Sequence, residues 1–191
     1  MYIQRHGESK ANAQRVYTAT KLNPSLTVTG RRQIESHLDF YETTQIDRIV
    51  TSPLKRAVET GEIIAGRLGL KTTVDDLLYE VELGDLEGQS MDEPENIRIF
   101  AGTLENWLKG DKSMRFANGE SFTELKKRLD YIEQNYMQHK NVLLVAHATL
   151  FACLMGQKVT YDETIFELFL PRGGRGFYNG KDWTMIDKRA I

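Results

Sequence analysis

The stretch Asn141-Val142-Leu143-Leu144-Val145-Ala146-His147 decides the fold. Its apolar run is continuous rather than alternating, the pattern of a central parallel strand covered on both faces. It stops at a histidine, and Ala148 to Met155 continue as an apolar helix. A strand that passes directly into a helix is half of a βα unit, and strands alternating with helices argue for an α/β fold.

Two upstream segments repeat the arrangement. Ile46 to Thr51 is rich in β-branched residues and reads as a second strand. Ser52 then suits a helix N-cap and Pro53 a first helical residue. Leu54, Ala57, Val58, Ile64, Ala65 and Leu68 give that helix one apolar face, Gly69 ends it, and Arg56 falls in its first turn. At the N-terminus, Tyr2-Ile3-Gln4-Arg5-His6-Gly7-Glu8-Ser9 reads as a strand that breaks at a basic residue, an imidazole and a glycine. A second histidine therefore stands at a strand exit, the edge where open α/β sheets bind ligands.

The remaining segments fill in the frame. Thr27 is the expected N-cap of a helix carrying Ile34 and Leu38 inward, and Gly30 in its first turn implies close packing against a neighbour. Lys71 to Val74 reads as a short strand. Gly119 to Tyr136 is the clearest helix, with a capping box at Ser121 and Glu124 and a stripe of Phe122, Leu125, Leu129, Ile132 and Tyr136. The charged, partly helical residues 85–118, anchored by Trp107, read as a lid. The tail alternates strand-like runs (Ile165 to Leu170, Gly176 to Tyr178, Trp183 to Ile186) with turns at Arg172 to Gly176 and at Asn179-Gly180. The expected fold is a three-layer α/β/α sandwich with a mostly parallel central sheet and a helical lid insertion, one domain over residues 1–191.

Composition narrows the function classes. A net charge of -2 gives no global attraction to nucleic acid or membrane, so any anion site must be built locally. The single cysteine, Cys153, excludes an intramolecular disulfide and any multi-cysteine metal site; in its apolar run it reads as a core thiol. No signal-peptide pattern and no membrane-span length of apolar sequence is present, and the expected location is cytoplasmic. His37 and His139 sit in helical contexts without metal-ligand spacing, so no metal and no cofactor is expected.

If the strands are neighbours, Arg5, His6, Arg56 and His147 meet in one pocket. Guanidinium forks suit phosphate oxygens, and arginines beside an imidazole favour its neutral, nucleophilic form. The chemistry that fits is in-line attack of a His6 ring nitrogen on phosphorus, with the arginines and His147 neutralising the equatorial oxygens. The leaving alcohol then needs a proton. The acidic segment holding Glu80 and Glu82 offers carboxylates beside a predicted strand end.

The chain resembles the histidine phosphatase superfamily, the phosphoglycerate-mutase-like proteins. The resemblance rests on Arg5-His6-Gly7-Glu8-Ser9 with Asn12, Leu26 to Gly30 with Gln33, and Thr51 to Ala57 with Thr60. It continues in Glu80 with Gly84 and Leu86-Glu87-Gly88, in Gly119-Glu120-Ser121, and in Val145-Ala146-His147. It implies that His6 is the phosphorylated nucleophile and that Arg5, Arg56 and His147 form the phosphate pocket. It further implies Glu80 as the proton donor ahead of Glu82, and Asn12 and Thr18 as pocket residues.

Two departures stand out. Ala148 replaces the glycine common after the second histidine, though its backbone N–H still serves phosphate. Pro171-Arg172-Gly173-Gly174-Arg175-Gly176 stands where an Asn-rich signature is typical; it reads as a glycine turn with two solvated arginines, the alternative being an added anion grip. The resemblance implies a metal-independent phosphomonoesterase acting on a small-molecule phosphomonoester. The alternatives are a phosphoglycerate mutase and a non-catalytic phospho-ligand binder. Residues 85–118 and the tail from Thr164 onward are expected to shape selectivity, and oligomeric state is left open.

Overall fold

A computed structural model describes residues 1–111, 113–157 and 165–187. Six strands form one sheet: β1 (Tyr2–Arg5), β2 (Arg48–Thr51), β3 (Thr72–Val74), β4 (Val142–Ala146), β5 (Arg175–Tyr178) and β6 (Trp183–Met185). Their order is β3-β2-β4-β1-β5-β6, parallel from β3 to β1 and antiparallel at β5 and β6. The continuous apolar strand is thus β4, flanked by the strands that lead to His6 and Arg56.

The helices are α1 (Lys10–Ala13), α2 (Val28–Glu35), α3 (Leu38–Glu42), α4 (Lys55–Leu68), α5 (Pro94–Leu108), α6 (Phe122–Tyr136) and α7 (Ala148–Gly156). The strand pleat distributes them over two faces. Leu143 and Val145 of β4 pack with Ile34, Tyr41 and Ile64 from α2, α3 and α4. Val142, Leu144 and Ala146 pack on the other face with Leu104, Leu129 and Phe151 from α5, α6 and α7. The α/β/α sandwich is therefore what an unbroken apolar β4 requires. None of the described helices is long and apolar enough to cross a membrane.

Local expectations hold at Thr27, whose hydroxyl accepts the Gly30 N–H, and at the Ser121/Glu124 capping box. They hold too at Gly69, which ends α4 with φ 66°. Trp107, near the end of α5, is buried on that helix's inner side. Three expectations need correction. The helix begun at Thr27 ends at Glu35, and Leu38 opens a separate helix. The helix α4 starts at Lys55 with Leu54 as its cap; Ser52 and Pro53 precede it. Ile165–Leu168 is a short 3-10 helix instead of a strand, because Leu168, Phe169 and Leu170 bury themselves in the core rather than joining a ladder. Thr164, the expected start of the tail, lies outside the described residues.

The close packing inferred at Gly30 is with the first strand's exit. A Cβ there would stand 2.1 Å from the Glu8 carbonyl oxygen, and one on Gly7 would stand 2.4 Å from the Gly30 carbonyl oxygen. Backbone meets backbone, so neither side can yield cheaply. Gly30→Ala is expected to cost about 1–3 kcal/mol in urea unfolding and to lower activity by shifting the segment after His6. An unchanged midpoint and unchanged turnover would contradict this packing.

Candidate active site

The adjacent strands β1 and β4 feed helices on opposite faces, which opens a crevice at their carboxyl ends. Arg5 pairs with Ala146, and the His6 amide continues the ladder to the Ala146 carbonyl at 3.0 Å. The Ser52 amide does the same to Val145 at 2.9 Å. His6, Ser52 and His147 are therefore the first residues beyond three neighbouring strands. From the other side of β1 the Gly173 amide reaches the His6 carbonyl at 3.0 Å, and the Arg5 amide reaches the Gly174 carbonyl at 2.9 Å.

His6 is buried, and its Nδ1 lies 2.7 Å from the Gly7 carbonyl oxygen. A carbonyl only accepts, so Nδ1 carries the hydrogen and Nε2 keeps its lone pair. Arg56 Nε donates to that Nε2 at 3.2 Å. Burial, then the charges of Arg56 and Arg5, hold the His6 ring well below the usual histidine pKa.

Arg56 is also buried, and burial pushes its pKa down to about 10, still charged at neutral pH. Its Nη2 donates to the Ala19 carbonyl at 3.1 Å, while its buried Nη1 has no hydrogen-bond partner among the described residues. Arg5 Nη1 donates to the Leu170 carbonyl at 2.6 Å.

His147 lies behind His6, fully buried, with ring centroids 5.2 Å apart. Its Nε2 is 2.7 Å from Ser52 Oγ, which already receives the Leu54 amide at 3.2 Å. The other ring nitrogen, Nδ1, is a buried atom without a hydrogen-bond partner among the described residues. Burial and the charge of Arg56 hold this ring low as well.

These depressed values set a pH dependence. Both folded-state values lie below the unfolded one, so the unfolded chain takes up protons first as pH falls. Stability is full above about pH 6.5 and declines as pH drops toward the folded-state values. The slope is about 1.4 kcal/mol per pH unit for each ring. Likewise, the acid limb of kcat/KM is expected below pH 6.5. A limb at or above the ordinary histidine value would show that the nucleophile is not this neutral ring.

A cleft of about 550 Å³ opens here, bordered by Arg5, His6, Asn12, Thr18, Arg56, Glu80 and Ala148. Glu80 is buried; its Oε1 accepts the Val81 and Leu150 amides at 2.9 Å, and its Oε2 accepts Thr149 at 3.1 Å. The start of α7 thereby fixes the carboxylate. Glu82 is exposed and does not border the cleft. Asn12 Oδ1 accepts the Ser9 amide within a capping box, leaving its amide nitrogen as the donor for the cleft. Tyr17, Leu83, Met91, Ile97, Phe100 and Phe169 make an apolar wall, two of them from the lid helix α5.

The turn with two solvated arginines is not what forms. Arg172 borders the cleft, donating to Glu8 Oε2 at 3.1 Å and to the Asn12 carbonyl at 3.2 Å. Arg175 is gripped by Asp187 through Nε and Nη2, both at 2.8 Å. Glu8 also accepts Thr27 Oγ1 at 2.8 Å, so it tethers the turn after β1 to the start of α2. Sequence reasoning missed Ser52 as the partner of His147 and Thr60 as the acceptor of the Gly7 amide at 3.2 Å. Both lie in the Thr51 to Thr60 motif, which was the available signal.

A crevice of this kind, cationic on its floor and set at the carboxyl ends of parallel strands, suits a phosphate group. The family model of the histidine phosphatase superfamily (branch 1) matches residues 1–170, and the chain belongs to that superfamily. A probable phosphoglycerate mutase GpmB of Citrobacter koseri is 32% identical over 162 residues, covering 81% of this chain and 72% of that protein. The Photorhabdus laumondii protein of the same name is 32% identical over 163 residues, covering 82% and 73%. Among solved structures, a mycobacterial glucosyl-3-phosphoglycerate phosphatase superposes with a TM-score of 0.73 at 22% identity, over 100% of this chain and 98% of that one. A putative alpha-ribazole-5'-P phosphatase from Escherichia coli gives 0.73 at 20% identity, over 99% and 95%. These two share the fold.

Proposed function

We propose that this chain is a metal-independent phosphomonoester hydrolase. The observation that carries the reading is the His6 ring: Nδ1–H is committed to the Gly7 carbonyl, and the Nε2 lone pair faces a guanidinium on the cleft floor. Nε2 attacks phosphorus in line, the ester oxygen leaves, and a phosphohistidine forms. Arg5, Arg56, His147, the Asn12 amide and the Ala148 N–H stabilise the three equatorial oxygens. Protonated Glu80 gives its proton to the departing oxygen, then as carboxylate takes one from the water that cleaves the phosphohistidine. Thr18 borders the leaving-group side. The apolar wall suits a small-molecule ester whose leaving group is largely apolar or aromatic.

The second reading is a phosphoglycerate mutase, favoured by the relatives at 32% identity, which carry the name probable phosphoglycerate mutase. In that reaction the phosphohistidine returns its phosphoryl group to another hydroxyl of the substrate. One experiment separates the two. The protein is assayed with aryl phosphates and with 3-phosphoglycerate, with EDTA present throughout. Hydrolysis supports the proposal; isomerisation of 3-phosphoglycerate faster than phosphate release replaces it with the mutase reading.

A further inference from the structure

Glu80 sits in an irregular segment between two 3-10 turns, Asp76–Leu78 and Gly84–Leu86, with no ladder partner to hold it. A buried ion pair outside the cleft takes that role. Arg128 projects from α6 within its apolar stripe, and Glu120 precedes the same helix; their side chains are 6% and 4% exposed. Arg128 donates Nε to Glu120 Oε1 at 2.9 Å and Nη2 to Oε2 at 2.6 Å. Its remaining Nη1 donates to the Leu77 carbonyl at 3.1 Å and the Tyr79 carbonyl at 2.8 Å. The guanidinium also covers the Tyr79 ring, 3.8 Å from its centroid. On the far side of Glu80, the Glu120 amide reaches the Glu82 carbonyl at 2.9 Å, and Glu120 Oε2 accepts the Glu82 amide at 3.3 Å.

One ion pair thus holds the backbone on both sides of Glu80 while touching nothing in the cleft. Burying such a pair contributes little net stability, since apolar residues of similar size commonly do as well. What an apolar pair cannot do is bind the Leu77 and Tyr79 carbonyls and the Glu82 amide, three backbone groups of an irregular segment, at fixed positions. We infer that Arg128 and Glu120 are positioning residues for the acid–base carboxylate, aligning Glu80 with the departing oxygen. This rests on the role proposed for Glu80.

The expected signature depends on the leaving group. Loss of a proton donor slows departure of a basic leaving group and leaves a good one nearly unaffected. The parameter is kcat/KM, which reports the steps up to phosphorylation of His6, compared between phenyl phosphate and dinitrophenyl phosphate. Glu80→Gln is expected to lose about a hundredfold or more with phenyl phosphate and only severalfold with dinitrophenyl phosphate. Arg128→Lys keeps the charge but loses the planar fork. It is expected to lose about tenfold with phenyl phosphate, again selectively. Added to Glu80→Gln, it should cost almost nothing more. Glu120→Gln, which keeps the side chain's volume, carries the same test should the lysine variant melt below assay temperature.

Equal losses with both substrates, or a full additional loss on top of Glu80→Gln, would overturn the inference while leaving Glu80 as the acid. No selective loss in Glu80→Gln itself would instead overturn the reading of Glu80.

Discussion

His6→Ala is expected to lower kcat/KM toward phosphomonoesters by about ten-thousandfold or more, the scale on which removing a covalent nucleophile acts. The loss should be insensitive to the leaving group, because without Nε2 no phosphoenzyme forms from any ester. In the intact protein, rapid denaturation during turnover should trap a phosphoryl group that is labile in acid and stable in base, mapping to His6. The variant should trap none. It should also fold: His6 is buried, but its side-chain hydrogen bonds are one to its own neighbour's carbonyl and one from Arg56. Turnover within tenfold of the intact protein, or a trapped group on another residue, would remove His6 from the mechanism.

Arg56→Met should cost about a thousandfold in kcat/KM through lost charge stabilisation in the transition state. In phosphate-free buffer its melting temperature should not fall. The guanidinium is buried against the neutral His6 ring, and its Nη1 has no hydrogen-bond partner among the described residues, so its desolvation is only partly offset in the free protein. Methionine removes that charge and loses the bonds to the Ala19 carbonyl and to His6 Nε2. Phosphate should raise the intact protein's melting temperature, by about 2.7 kcal/mol of stability at a hundredfold excess over its Kd. The variant's response should be much smaller. A variant much less stable than the intact protein, yet equally stabilised by phosphate, would mean that Arg56 is a structural residue. The expected pattern is that of a group kept for function at the expense of stability.

The parts of this molecule that could be read in the sequence are those where local pattern and tertiary role coincide. The unbroken apolar run at Val142–Ala146 can be buried on both faces only inside a two-sided sheet, and it is the strand between β2 and β1. His6 and His147 follow directly from strand ends, and Arg56 lies in the first turn of the helix after β2, so placing the strands brought those residues to one edge. Glu80 was harder, since its segment is irregular; the family motif chose it over Glu82, and of the two it is Glu80 that is buried against α7 and borders the cleft.

What escaped depends on partners remote in sequence. Arg172 looks like a turn arginine until Glu8 and the Asn12 carbonyl stand opposite it. Ser52 has the chemistry of an N-cap, but the backbone does not turn helical until Lys55, which leaves its hydroxyl for His147. The apolar run from Ile165 has strand-like composition, yet four to six apolar residues suit a short buried helix as well as a strand.

The position of β1 in the sheet has a consequence for how the nucleophile comes into being. Tyr2 pairs with Leu143 on one side and with Phe177 on the other, so the strand leading to His6 is completed only by segments far along the chain. Such distant pairings close late and slowly in folding. Until β4 and β5 have docked, the ring lacks the buried, arginine-lined surroundings that keep it neutral. Chemical competence is therefore among the last properties this chain acquires, and a partly folded molecule carries His6 as an ordinary, protonatable histidine.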